Sequence, residues 1–201
     1  MRLTIPNQLT ILRIILTPIF LVYYLKGTPH DQLIASILFV AASITDWYDG
    51  WYARRFGVIT RWGQFMDPLA DKLLVSSALI VFAWLGYVFW WMVWVIVVRD
   101  FIVTGIRIYA LHRGTPIVTH AVAKWKTFAQ MITIFMILSY TVWLNYYGTG
   151  SASYHAKYLD AIGIAMSVVT LLTVISFVIY VFANWQLIWR ILKKSVSPFM
   201  K

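Results

Sequence analysis

Four aspartates, Asp46, Asp49, Asp67 and Asp71, crowd into the stretch TDWYDGWYARRFGVITRWGQFMDPLADK at residues 45–72, in a chain with seven acidic residues and no glutamate. Asp46, Asp49 and Ala53 are spaced i, i+3, i+7 and so share one helical face. Gly63, Asp67 and Asp71 follow i, i+4, i+8 and share another if the helix reaches back that far. Opposing two such faces concentrates negative charge, and like charges at close range need neutralising. Oxygen ligands without histidine or cysteine suit Mg²⁺ or Mn²⁺, and four carboxylates are enough to bridge two ions. Two ions between carboxylates suit phosphoryl transfer, where they clamp phosphate oxygens and stabilise the attacking and leaving groups. Gly50 and Ala53 leave room for a diphosphate to approach the backbone, and Arg54 offers it a planar fork.

The elements that must position these residues are membrane helices. Charged residues make up 12% of the 201-residue chain and hydrophobic ones 61%; soluble domains carry about 25% charge. Mean hydropathy is +0.76. Apolar stretches long enough to cross a bilayer recur, and six spans are expected: Leu9–Leu25, Leu33–Tyr52, Pro68–Tyr87, Phe89–Leu111, Val122–Tyr147 and Tyr158–Trp189. This is an all-α integral membrane protein forming one domain over residues 1–201, with no separate soluble part. Pro18 is expected to bend the first span. No small-residue cleavage site follows LVYYLKGTPHD, so that span reads as a membrane helix and not a leader. The last span exceeds the hydrocarbon thickness and is expected to tilt or project beyond it.

Basic residues fix the expected orientation. Arg2, Arg54, Arg55, Arg61, Arg113, Lys124, Lys126, Arg190, Lys193, Lys194 and Lys201 fall on one set of span ends, and Lys26 and Lys157 on the other. The basic side is cytoplasmic by the positive-inside rule, with both termini there and the aspartates at that rim. The same rule accounts for the net charge of +10 without nucleic acid. The absence of cysteine removes disulfides, thiolate chemistry and cysteine-based zinc sites. His30, His112, His120 and His155 have no metal-ligand spacing. AWLGYVFWW at 83–91, Tyr146, Tyr147, Trp185 and Trp189 suit the interfacial aromatic belts.

A second group of charges points to a pocket for a second phosphate. Arg99, Asp100 and Arg107 lie in the fourth span, and Lys124 and Lys126 open the fifth, followed by Thr127 and Gln130. Intramembrane arginine is costly and therefore functional by default. Arg99, Arg107, Lys124 and Lys126 together suit a cationic pocket for a phosphate, or else Lys124 and Lys126 are the ordinary positive-inside flank of the fifth span. An Arg99–Asp100 surface pair is not expected, because adjacent helical side chains diverge. Asn7, Thr10 and Arg13 lie about one turn apart and point to nucleotide or lipid-phosphate contact, or else to interfacial anchoring. A divalent-cation carrier is the alternative from another class; such sites favour broken helices at the midplane, unlike this rim cluster.

The pattern D-x2-D-G-x2-A-R-x8-G-x3-D-x3-D, formed by Asp46, Asp49, Gly50, Ala53, Arg54, Gly63, Asp67 and Asp71, spans 26 residues and resembles the signature of the CDP-alcohol phosphotransferase family. IPNQLTILR, VRDFIVTGIR and AKWKTFAQM are similar to its phosphatidylglycerophosphate synthase branch. The resemblance implies six transmembrane helices, a homodimer in the inner (cytoplasmic) membrane and two divalent ions. The donor would be CDP-diacylglycerol, and the acceptor sn-glycerol 3-phosphate; phosphatidylglycerol or inositol phosphate are alternative acceptors. Asp46, Asp49 and Asp67 would bind metal, and Asp71 would be both metal ligand and general base. Gly50, Ala53, Arg54 and Gly63 would meet the CDP portion. Residue types alone do not separate Asp71 from Asp67 in the role of base.

Overall fold

The computed structural model describes residues 5–56, 61–114, 121–147, 157–186 and 188–189, without the side chains of residues 5, 6, 53, 54, 61, 62 and 64. These residues form six helices and no strand: α1 (Ile5–Lys26), α2 (Pro29–Phe56), α3 (Arg61–Trp84), α4 (Trp90–His112), α5 (Ala121–Tyr147) and α6 (Ala161–Ala183).

Short polar sequences set the helix ends. Thr28 starts α2: its hydroxyl accepts from the Asp31 amide at 3.1 Å and donates to the Asp31 carboxylate at 2.6 Å, with Pro29 as the first helical residue. At the end of α3 the Tyr87 amide bonds the Phe82 carbonyl at 2.8 Å, and the Gly86 amide bonds the Ala83 carbonyl at 3.1 Å. That closure needs a left-handed residue, and Gly86 has φ 79°. Asp160 caps α6 by accepting from the Gly163 amide at 2.6 Å.

Four helices are apolar and long enough to cross a membrane: α1, α2, α5 and α6. The other two have 24 and 23 residues, a span of about 35 Å at the α-helical rise. They fall short only in charge. Every 18-residue window of α3 contains Asp67, Asp71 and Lys72, and every such window of α4 contains Arg99, Asp100 and Arg107. The residues that reduce the membrane signal are those of the candidate site.

Two expectations are corrected. The last span does not run unbroken to Trp189; regular helix closes at Ala183, with Asn184 as C-cap and its side-chain amide donating to the Tyr180 carbonyl at 3.0 Å. The aspartate-bearing faces of the second and third helices were expected to oppose each other; α2 and α3 touch only lightly, and α1 packs extensively against both. Helix contacts follow a closed circuit, α1–α3–α4–α6–α5–α2 and back to α1. Pro18 lies within a continuous α1.

One buried core draws on all six helices. Its centre is a relay of aromatic rings: Phe20 against Tyr24 and Phe39 at 5.6 Å, Tyr24 against Phe82 at 5.5 Å, and Phe39 against Phe135 at 5.9 Å. Small residues such as Ala35, Ala42 and Ala78 let the helices approach, as membrane packing requires where lipid is as apolar as the side chains. At one end of the bundle the Tyr24 hydroxyl donates to Thr141 at 3.0 Å, Asn145 bonds Gln32, and Phe89 stacks on Tyr158. The opposite end holds Arg13, the four clustered aspartates and the cations around Asp100.

Candidate active site

The first turns of α1 and α3 and the last turns of α2 meet at that charged end. Arg13, fully buried, spans Asp46 at 2.5 Å and Asp49 at 2.6 Å with its two terminal nitrogens. Thr10 donates a hydrogen bond to Asp67. Asp71 is held by Lys72 at 3.1 Å. Asp46 lies within electrostatic reach of Asp71, Asp49 and Asp67, so the four carboxylates share one neighbourhood. Among the described residues no three His, Cys, Asp or Glu side chains stand close enough, as placed, to hold one ion. A guanidinium and a hydroxyl from α1 lie among the acids instead, the role in which the structure puts Thr10 and Arg13. Asn7 is buried on the same stretch of helix. Gly50 is partly buried and Gly63 buried; Ala53 and Arg54 lie on the last turns of α2, with their side chains outside the described residues.

Beside this cluster opens a cleft of about 790 Å³. Trp47 and Lys72, sequence neighbours of Asp46 and Asp71, form its near wall. Arg99, Thr104 and Arg107 of α4, Lys124 and Thr127 of α5, and Ser176 and Tyr180 of α6 complete it. Arg107 and Lys124 are exposed at its rim. Lys126 is fully buried behind the cleft with Gln130, whose amide atoms lack hydrogen-bond partners among the described residues.

Asp100 organises the floor. On α4, Met92, Val93, Ile96, Val97, Asp100, Val103 and Thr104 form the buried stripe, so this carboxylate occupies a core position. It receives Lys126 at 2.6 and 2.7 Å, Arg99 at 3.1 Å and Lys72 at 3.6 Å. Lys72 also pairs with Asp71, so these three cations face two acids, and with Arg107 and Lys124 at the rim the cleft keeps surplus positive charge. The adjacent Arg99–Asp100 pair forms despite the expectation against it, because the pair is buried and the guanidinium fork is long enough to turn back. Its other terminal nitrogen donates to Ser176 at 3.0 Å.

Sequence reasoning passed over Lys72, Ser176 and Tyr180. Lys72 had a detectable signal, an ionisable residue inside an apolar span. The two α6 residues had none.

A model of the CDP-alcohol phosphatidyltransferase family matches residues 3–154. The chain belongs to this family. Three relatives carry the name CDP-diacylglycerol–glycerol-3-phosphate 3-phosphatidyltransferase. The one from Bacillus subtilis is 41% identical over 146 residues, 67% of this chain and 76% of the relative. The one from Rickettsia bellii is 32% identical over 173 residues, 86% and 90% of the two chains. The one from Shigella flexneri is 36% identical over 155 residues, 74% and 84%. Membership makes the chain a multi-pass membrane enzyme, a transferase of phospholipid synthesis in a family that is generally dependent on divalent metal. The cation-carrier alternative falls with it.

Proposed function

We propose that this chain, as a single domain over residues 1–201, transfers the phosphatidyl group of CDP-diacylglycerol to sn-glycerol 3-phosphate, yielding phosphatidylglycerophosphate and CMP. The observation that carries the reading is the juxtaposition of a four-aspartate cluster with a cleft whose floor holds surplus positive charge. The first suits a diphosphate donor, the second a phosphomonoester acceptor. A phosphomonoester carries about −1.5 to −2 charge at neutral pH, against one charge on a phosphodiester such as phosphatidylglycerol, and so matches the cleft better. The names of the relatives agree.

Asp46, Asp49, Asp67 and Asp71 offer only oxygen donors, the chemistry that suits two Mg²⁺ or Mn²⁺ ions, and holding them would require the side chains to turn from Arg13 and Thr10 towards the metal. Such ions, when bound, would neutralise the donor diphosphate and polarise its phosphorus. Arg13 then keeps a positive charge beside Asp46 and Asp49. Gly50, Ala53 and Gly63 give the CDP portion room, and Arg54 binds a phosphate oxygen. Asp71 serves as base at the seam between cluster and cleft. It takes the proton of the acceptor's primary hydroxyl as that oxygen bonds the β-phosphorus and CMP leaves with the electrons of the broken P–O bond. Lys72, beside both Asp71 and the cleft, draws the acceptor phosphate towards the base.

The water-soluble participants, glycerol 3-phosphate and CMP, use the end of the bundle that holds the site. Its basic flanks make that end cytoplasmic, with both termini there and the chain in the inner membrane. The homodimer is carried by family resemblance alone. CMP release from CDP-diacylglycerol by the purified protein, with a panel of alcohols, tests the reading. Release is expected with sn-glycerol 3-phosphate; release with phosphatidylglycerol or inositol phosphate in its place overturns the acceptor.

A further inference from the structure

Two residues that line the cleft carry donors without a partner among the described residues. The Tyr180 hydroxyl and the Arg99 Nε are both buried and lack a hydrogen-bond partner among the described residues. Both residues line the cleft, and Tyr180 is only 6% exposed. A buried polar group left unpaired carries a desolvation penalty, and two such groups on residues that line one cavity point to a ligand with acceptor oxygens there.

We propose that α6 completes the acceptor site: the Tyr180 hydroxyl donates a hydrogen bond to the phosphate-bearing alcohol, and Ser176 sets the orientation in which Arg99 does the same. The assignment rests on the acceptor-cleft reading above and adds residues beyond 3–154, the part matched by the family model.

Ser176 and Tyr180 are spaced i, i+4 and lie on the buried stripe of α6. Ser176 donates its own proton to the Thr173 carbonyl at 3.0 Å, which leaves its oxygen free to accept from Arg99. With one terminal nitrogen on Asp100 and the other on Ser176, the guanidinium is pinned on two sides. Its Nε is the donor left over. The Tyr180 ring is held by helix packing, and its hydroxyl lies within the field of Arg107 and Arg99. An anionic acceptor therefore meets a fixed neutral donor from α6 and a fixed charged one from α4.

The test uses full-length protein in detergent with CDP-diacylglycerol and Mg²⁺, and measures KM separately for the two substrates. Tyr180→Phe removes only the hydroxyl; acceptor KM should rise about three- to tenfold, the range of one lost hydrogen bond, with donor KM and kcat little changed. Ser176→Ala should show the same split by freeing Arg99, and Ser176→Thr, which keeps the hydroxyl, should restore the parent value. An unchanged acceptor KM in Tyr180→Phe overturns the proposal, since the hydroxyl then meets only water. An equal rise in both KM values also overturns it, as a general loss of structure. If CMP release requires a different alcohol, the glycerol 3-phosphate reading fails alone, and the same KM ratio, measured with that alcohol, still decides the role of α6.

Discussion

Lys126 sets its ammonium 2.6 and 2.7 Å from the two carboxylate oxygens of Asp100, with Lys126 fully buried and Asp100 2% exposed. The pair joins α5 to α4 across the bundle and fixes the carboxylate to which Arg99 and Lys72 also turn. Removing one partner of a buried ion pair leaves an uncompensated charge and costs about 3–5 kcal/mol. Asp100→Asn should therefore lower the unfolding midpoint in detergent more than the double variant Asp100→Asn with Lys126→Met. Equal losses in the two proteins would remove the ion pair from any part in stability.

Metal removal gives a second expectation. Excess EDTA should abolish CMP release, and added Mg²⁺ or Mn²⁺ should restore it. Asp46→Asn and Asp67→Asn should abolish turnover while the protein stays folded, because an amide relieves the repulsion among the four acids. Full activity in EDTA would contradict the aspartate cluster as a metal centre.

Arg107 stands exposed at the rim of the cleft. Arg107→Lys keeps the charge but loses the planar fork that meets two phosphate oxygens at once. Loss of one charged hydrogen bond corresponds to about 1.5–3 kcal/mol, roughly a ten- to hundredfold rise in acceptor KM. The KM for CDP-diacylglycerol should not follow it. Steady-state kinetics with each substrate varied in turn will show whether the two constants separate.

At the far end of the bundle, Gly163 allows the chain to pass where a side chain would collide. A Cβ there would lie 1.7 Å from the Lys157 carbonyl oxygen. Gly163→Ala should lower stability by about 1–3 kcal/mol, the usual range for overpacking, while both KM values stay at the parent level. Thermal unfolding and kinetics on one preparation check the two halves of this statement.

The helices were legible because each is a long apolar run, and the aspartate spacing was legible because α2 and α3 extend through it. Neighbour relations were not. In lipid every apolar face is equally content, so hydropathy does not reveal that α1 lies between α2 and α3. Asp100 could be noticed as a charge but not as the hub, since its three cations come from α3, α4 and α5. The α6 residues were silent for a different reason. Hydroxyls within membrane helices commonly bond their own preceding carbonyls, as Thr170 does with Met166 and Thr173 with Val169. Ser176 and Tyr180 look no different in sequence; only the cleft distinguishes them.

The place of α1 between its two neighbours also sets an order of events during synthesis, which runs from the N-terminus. Arg13 is made before its partners, and α2 brings Asp46 and Asp49 one hairpin later. From then on the first pair of helices carries its opposite charges together, which eases their passage into the hydrocarbon. Asp100 has a longer wait, because Lys126 arrives only with α5. The charges shared by α1 and α2 are thus answered early, and the Asp100–Lys126 pair is the last of these contacts to form.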